Sequence, residues 1–216
     1  MTKKVLLAPL LLFVSMVVAL AQPFSKTVSS PNNRIQATVM LNEKGEASYK
    51  IKFQGKDAIG ESRLGLQLRG HNLSTGLKRV GDGSSTEKEN WKPVWGEVEE
   101  ISNHYKGLQL HLISADGFRF SIVFRVYNDG VGFRYEFPKQ EKDTQIVVLD
   151  ELTEFQLTAD HTAWWAPNDW DSNEHTYTQS KISAIDATKH LTDIEPFVQH
   201  ITNVHAVQTP VTMQAE

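Results

Sequence analysis

The chain has 216 residues, 22 basic against 26 acidic side chains, a formal charge of −4 and no cysteine. A disulfide framework and a lipid-carrying cysteine are thereby excluded, and the mild acidity without a basic cluster argues against nucleic acid or an anionic membrane as partner. With 40% hydrophobic residues, a chain of this length can bury one sizeable core without covalent staples.

Residues 1–21 read as a secretory signal peptide. Lys3 and Lys4 form a positive start, Val5 to Leu20 an apolar run, and Ala19-Leu20-Ala21 a small-x-small cleavage site before Gln22. An uncleaved anchor is the competing reading. The run is short for a membrane span and no charged stop-transfer flank follows, so no stable membrane insertion is expected. The expected location is the periplasm or the extracellular space, with a mature domain over residues 22–216. Removing Lys3 and Lys4 leaves 20 basic against 26 acidic residues, a charge of −6.

The mature chain is a run of strand patterns. Ile35, Ala37, Val39 and Leu41 alternate with polar residues, Asn42-Glu-Lys-Gly45 turns, and Tyr49, Ile51 and Phe53 return, giving a hairpin with one dry face. Leu64, Leu66 and Leu68 predict one strand ending at Gly70. Leu108, Leu110 and Leu112 predict another, closed by Asp116-Gly117. The clearest hairpin follows: Phe120, Ile122, Phe124 and Val126 line one face, Asn128-Asp-Gly130 turns, and Val131, Phe133, Tyr135 and Phe137 return to Pro138. Residues 145–149 and 154–157 continue the alternation. The polar, glycine-containing stretch Gly81–Asn90 reads as a mobile surface loop. Thr188 to His200 break the strand pattern, and Leu191, Ile194, Phe197, Val198 and Ile201 suit one face of a short helix with Pro196 in its first turn. Period-2 alternation with closely spaced turns indicates an all-β sandwich, with a closed barrel as competitor.

Chemistry concentrates in His161-Thr-Ala-Trp-Trp-Ala-Pro-Asn-Asp-Trp-Asp-Ser-Asn-Glu-His-Thr-Tyr177. Read as a loop, it would set tryptophan rings beside carboxylates, which is what a sugar needs: C–H faces stack on rings and hydroxyls donate to charged acceptors. The plainer reading buries Trp164 and Trp165 and solvates the acids. Glu174 stands where a carboxylate beside aromatics could reach a hydroxyl or a hard cation. Such a cation takes about six to eight oxygen ligands, so one glutamate would supply only part of a site. Trp91-Lys-Pro-Val-Trp-Gly-Glu97 reads as a turn whose tryptophans cap the end of the sandwich, with sugar contact as the competing reading. Arg125 and Arg134 read as members of a cross-strand ion pair with Glu136 nearby. No nucleotide-binding loop, G-x-S-x-G elbow or H-E-x-x-H pair occurs, and no histidine stands at a zinc spacing. Val211 to Met213 resembles a strand that has barely begun, so truncation is expected at the C-terminal end.

Several stretches together resemble the amino-terminal domain of glycoside hydrolase family 97. They are Ser30-Pro-Asn32, Ser62-Arg-Leu-Gly-Leu66, Trp91 to Glu97, Phe124-Arg-Val-Tyr-Asn-Asp-Gly-Val-Gly-Phe-Arg-Tyr-Glu-Phe-Pro138, Thr162-Ala-Trp-Trp165 and Thr209-Pro210. Each is weak alone, and the ordered set is specific. The resemblance implies a galactose mutarotase-like β-supersandwich from an exported exo-α-glucosidase or α-galactosidase. The catalytic (β/α)8 barrel, which carries both catalytic carboxylates, would be absent from this chain, so no catalytic residue is assigned. It implies Glu174 as a ligand to calcium shared with that barrel in cis, and Gln208 and Thr209 as contacts to an α-linked oligosaccharide. An apparent insertion over 186–200 bears on the register of Gln208. Two other classes remain beside this reading: a stand-alone carbohydrate-binding sandwich, and an aldose mutarotase-like epimerase using His161, His175 and Glu174.

Overall fold

A computed structural model describes residues 22–140, 145–171, 174–190 and 200–215, except the side chain of Thr202. The signal-like segment 1–21 and residues 191–199 of the expected helix lie outside the described residues.

Four strands, β1 (Phe24–Ser29), β2 (Ile35–Leu41), β3 (Ala47–Phe53) and β4 (Lys56–Leu64), form one antiparallel sheet in chain order. Two short strands follow, β5 (Leu66–Leu68) and β6 (His71–Asn72). Next come β7 (Lys78–Trp91), β8 (Ile101–Ile113), β9 (Arg119–Val126) and β10 (Val131–Glu136), which make a second antiparallel sheet. Then β11 (Val148–Glu151) pairs with β5. The remaining strands are β12 (Thr162–Trp165), β13 (Pro167–Asp169), β14 (Thr178–Lys181), β15 (Ile201–Val207) and β16 (Thr212–Gln214).

The two four-stranded sheets form a sandwich because each has one apolar face to remove from water. Ile35, Ala37, Val39, Leu41 and Tyr49 from the first sheet share a core with Leu108, Leu110, Leu112, Phe120, Ile122, Phe124 and Val126 from the second. Both expected hairpins form: Ile35 opposes Phe53, and Val126 opposes Val131. At the first turn the Asn42 side-chain oxygen accepts the N–H groups of Lys44 and Glu46. Gly45 has φ +70°, and a Cβ there would stand 2.4 Å from the Leu77 nitrogen, so only glycine fits. At the rim, Lys26 Nζ donates to Asp82 Oδ2 at 2.8 Å, linking β1 to β7 across the two sheets.

Four expectations are corrected. The leucines at 64, 66 and 68 belong to two sheets, because the chain crosses between them at Gly65. A Cβ at Gly65 would meet that of Ser74 at 2.8 Å, and the Gly65 N–H donates to the Tyr135 hydroxyl. Residues 81–90 are no loop: they pair one for one with β8, from Gly81 opposite His111 to Asn90 opposite Ser102. This ribbon is exposed through most of that stretch, so its sequence carries no alternation, and the backbone ladder defines it. The ribbon also carries Trp91, Val94, Trp95 and Val98 beyond the core, at 46, 99, 88 and 60% exposure, so the tryptophans do not cap the sandwich. Finally, Arg134 pairs with Glu136 along its own strand, while Arg125 lies 4.7 Å over the Tyr105 ring. Of the expected strands at 145–149 and 154–157, β11 realises part of the first, and the second runs along β4 without forming a strand: the Glu154 N–H donates to the Arg63 carbonyl, the Gly60 N–H to the Gln156 carbonyl, and Leu157 bridges Ile59.

Tyr49 reports on this packing. Its side chain is fully buried, its hydroxyl donates to the Glu154 carbonyl at 2.8 Å, and burial pushes the phenol up to about 12. An unfolded tyrosine ionises near pH 10, so this group's contribution is complete below about 10 and is lost as pH rises towards about 12. Tyr49→Phe should cost about 1 kcal/mol at pH 7 and lessen the alkaline decline. Urea midpoints of both proteins at pH 7 and pH 11 check this.

Candidate functional site

Beyond the sandwich, a second apolar cluster forms around Ala163, Trp165 and Ala187, with Ile182, Ile185, Ile201, Val204, Val207 and Val211 packed against it. Its frame is β12, paired with β14 on one side and β16 on the other. Thus Trp164 and Trp165 lie in a strand, not in the loop that sugar recognition required. Trp165 is buried, its indole N–H donates to Ser180 Oγ at 2.9 Å, and its ring meets His190 edge-on at 5.2 Å. The Trp-Trp doublet obscured the alternation of buried Ala163 and Trp165 with half-buried Thr162 and Trp164. Within this stretch Trp170 and Tyr177 keep exposed rings, at 69 and 60%, and Trp170 packs on the His200 ring at 4.6 Å. Asp160 clamps the short helical turn Ile182–Ala184 by accepting from the Ser183 N–H and hydroxyl, and the hydroxyl bond holds its carboxyl below the usual range.

The centre of the cluster's polar side is Asp169, at the end of β13. Its side chain is fully buried. Oδ1 accepts the Asp171 N–H at 3.0 Å, and Oδ2 accepts both His175 Nε2 at 2.9 Å and the His200 N–H at 3.0 Å. One carboxylate therefore joins the segment after β13, the segment before β14 and the start of β15. Ile201 lies in that strand and not on the expected helical face. Among the described residues near it, the chain forms only the short turn Ala187–His190.

Each residue expected at the site can now be placed. Glu174 is exposed and directly precedes the buried His175. Gln208 is half-buried: its N–H donates to the Ala166 carbonyl at 3.0 Å and its side-chain amide to the Asp169 carbonyl at 3.4 Å. Thr209 is exposed beside it. The structure thus brings Gln208 onto the residue that also holds the neighbour of Glu174. It does not gather His161, His175 and Glu174: His161 is buried with Nε2 on Thr158 Oγ1 at 3.1 Å, and His175 is turned inward on Asp169. Sequence reading missed Asp169, since an acid at a strand end looks like any other acid until its burial is known.

Among the described residues, no group of three or more His, Asp or Glu side chains could hold a metal ion. The donor chemistry fits one arm of a calcium site, an exposed carboxylate, and not a complete shell. A cavity of about 650 Å³ lies elsewhere, at the open flank of the sandwich, and its lining includes Ile51, Phe53, Ile59, Phe133 and Phe155.

A family model described as Glycosyl-hydrolase 97 N-terminal matches residues 28–216. A probable retaining alpha-galactosidase of Streptomyces bingchenggensis (strain BCW-1) is 31% identical over 162 residues, covering 74% of this chain and 25% of that protein. A glycoside hydrolase family 97 enzyme from Pseudoalteromonas sp. strain K8, solved in complex with acarbose, superposes with a TM-score of 0.67 at 30% identity. That match covers 72% of this chain and 24% of the enzyme. A beta-arabinopyranosidase at 21% identity has a TM-score of 0.65, covering 72% of this chain and 26% of its own, and shares the fold. The chain spans about a quarter of the length of these relatives.

The frame of the site gives a direct expectation. Ser180→Ala leaves the buried indole N–H of Trp165 without its acceptor and should cost about 1–3 kcal/mol. Trp95→Ala, at the exposed ribbon tip, should change stability by less than about 0.5 kcal/mol. Chemical denaturation of the two variants side by side measures both.

Proposed function

The chain belongs to the amino-terminal domain family of glycoside hydrolase family 97, and on that premise we propose that it is the substrate-side domain of an exported α-glycosidase. In this reading Glu174 donates a carboxylate to a calcium ion shared with a catalytic barrel in cis. Gln208 and Thr209 border the sugar, an α-linked oligosaccharide. The signal-like segment 1–21 directs export. Among the described residues, no helix is long and apolar enough to cross a membrane.

The observation that carries this reading is that exposed Glu174 directly precedes His175, whose ring bonds the buried Asp169 carboxylate, and that the Asp169 carbonyl accepts from the Gln208 amide. An outward carboxylate next to a fixed backbone suits donation across an interface, because the ion's remaining oxygens must come from elsewhere. Calcium, when bound, supplies positive charge beside the sugar. This chain's own part is to hold one ligand and one edge of the pocket. Glycosidic hydrolysis needs two carboxylates flanking the scissile bond, and this reading places both in the barrel.

Two outcomes are expected. The isolated chain should release no nitrophenol from aryl α-glucosides or α-galactosides, and measurable release abolished by Glu174→Gln would overturn the assignment. In the full-length protein, Glu174→Gln should weaken calcium binding and hydrolysis together, by about 10- to 100-fold, with the fold intact. Tight glycan binding by the isolated chain would favour a stand-alone carbohydrate-binding sandwich instead.

A further inference from the structure

We infer that the buried Asp169–His175 pair is a positioning device that sets Glu174 and Gln208 in register with each other; the inference rests on the proposed role of Glu174. Both side chains of the pair are fully buried. Packing alone explains such a pair poorly, because apolar residues of similar volume usually fill a core as well or better. What the pair provides is geometry. The Asp169 carboxylate accepts from three segments, through Asp171, His175 and His200, and the carbonyl of the same residue accepts from the Gln208 amide.

The imidazole is held at one end only. Nε2 meets Asp169 at 2.9 Å, while Nδ1 is buried with no hydrogen-bond partner. The hydrogen bond to Asp169 is therefore what orients the His175 ring, beyond its packing against His190. Consecutive Cα atoms are about 3.8 Å apart, so fixing His175 fixes the backbone from which Glu174 projects outward. His175 thus acts through its neighbour and touches neither ion nor sugar. Its partner Asp169 sits in β13, whose pairing with β15 places Asp169 opposite Ile201. The strand that leads to Gln208 is thereby tied to the same point.

The test uses the full-length protein with calcium as the probe, and two variants that separate geometry from packing. His175→Phe keeps a ring of similar size and loses the donor; His175→Gln keeps a donor near the Nε2 position. His175→Phe should weaken calcium binding by calorimetry about 10-fold, as for other groups that orient metal ligands, and speed amide hydrogen exchange at residues 174–177. His175→Gln should restore most of both. Asp169→Asn, nearly isosteric, replaces one acceptor oxygen by a donor, facing either the Asp171 N–H or both His175 and the His200 N–H, and should reproduce part of the loss if His175→Phe does not fold. A lower melting temperature for His175→Phe with unchanged calcium affinity and unchanged exchange would make the pair merely structural and overturn the inference. If Glu174→Gln itself leaves calcium affinity unchanged, the metal reading fails, and exchange at residues 174–177 alone decides the positioning role.

Discussion

An antiparallel sheet with one apolar face must cover it, and in this chain that requirement organises everything else. The two four-stranded sheets close over a shared core that runs from Ile35 to Val126. Segments that leave the core are then free to be polar, as the β7–β8 ribbon is, or to build a smaller cluster, as the residues after 160 do around Trp165. Around the second cluster, side-chain hydrogen bonds tie the loops: Asp160 on Ser183, Trp165 on Ser180, Thr178 on His190, and Asp169 on three segments at once.

The sandwich was legible where one face is dry and the other wet. The alternations Ile35–Leu41 and Phe120–Val126 and the turns at Asn42–Gly45 and Asn128–Gly130 carry their registers in the sequence, because burial selects every second residue. Legibility failed where that selection lapses. Between Gly81 and Asn90 most side chains are solvated, so glycine and serine signalled a loop where the backbone ladder makes a strand. At Leu64–Leu68 the alternation is continuous and the break is set by a contact between Gly65 and Ser74, some ten residues away in sequence. At the ribbon tip, Trp91 and Trp95 suggested burial by type alone, and only the length of the ribbon shows that both stand beyond the core, 46 and 88% exposed.

The site followed the same division. Glu174, Gln208 and Thr209 were reached through resemblance to a family, and the structure adds the bonds that relate two of their surroundings. Asp169 was visible to neither pattern nor resemblance. Its neighbours Asp171 and Glu174 are also acids, yet both are exposed while Asp169 is buried. That difference separates a residue that holds a loop from residues that the loop presents.

In the proposed function, Glu174 faces a calcium ion whose other ligands lie outside this domain. A crystal structure of the full-length protein grown with calcium and a slowly hydrolysed α-glycoside tests it most directly. A Glu174 carboxylate oxygen should lie within about 2.3–2.6 Å of the ion, with barrel oxygens completing the shell and Gln208 beside the sugar. A calcium shell complete without Glu174, or a sugar bound with no ion near residue 174, would contradict it.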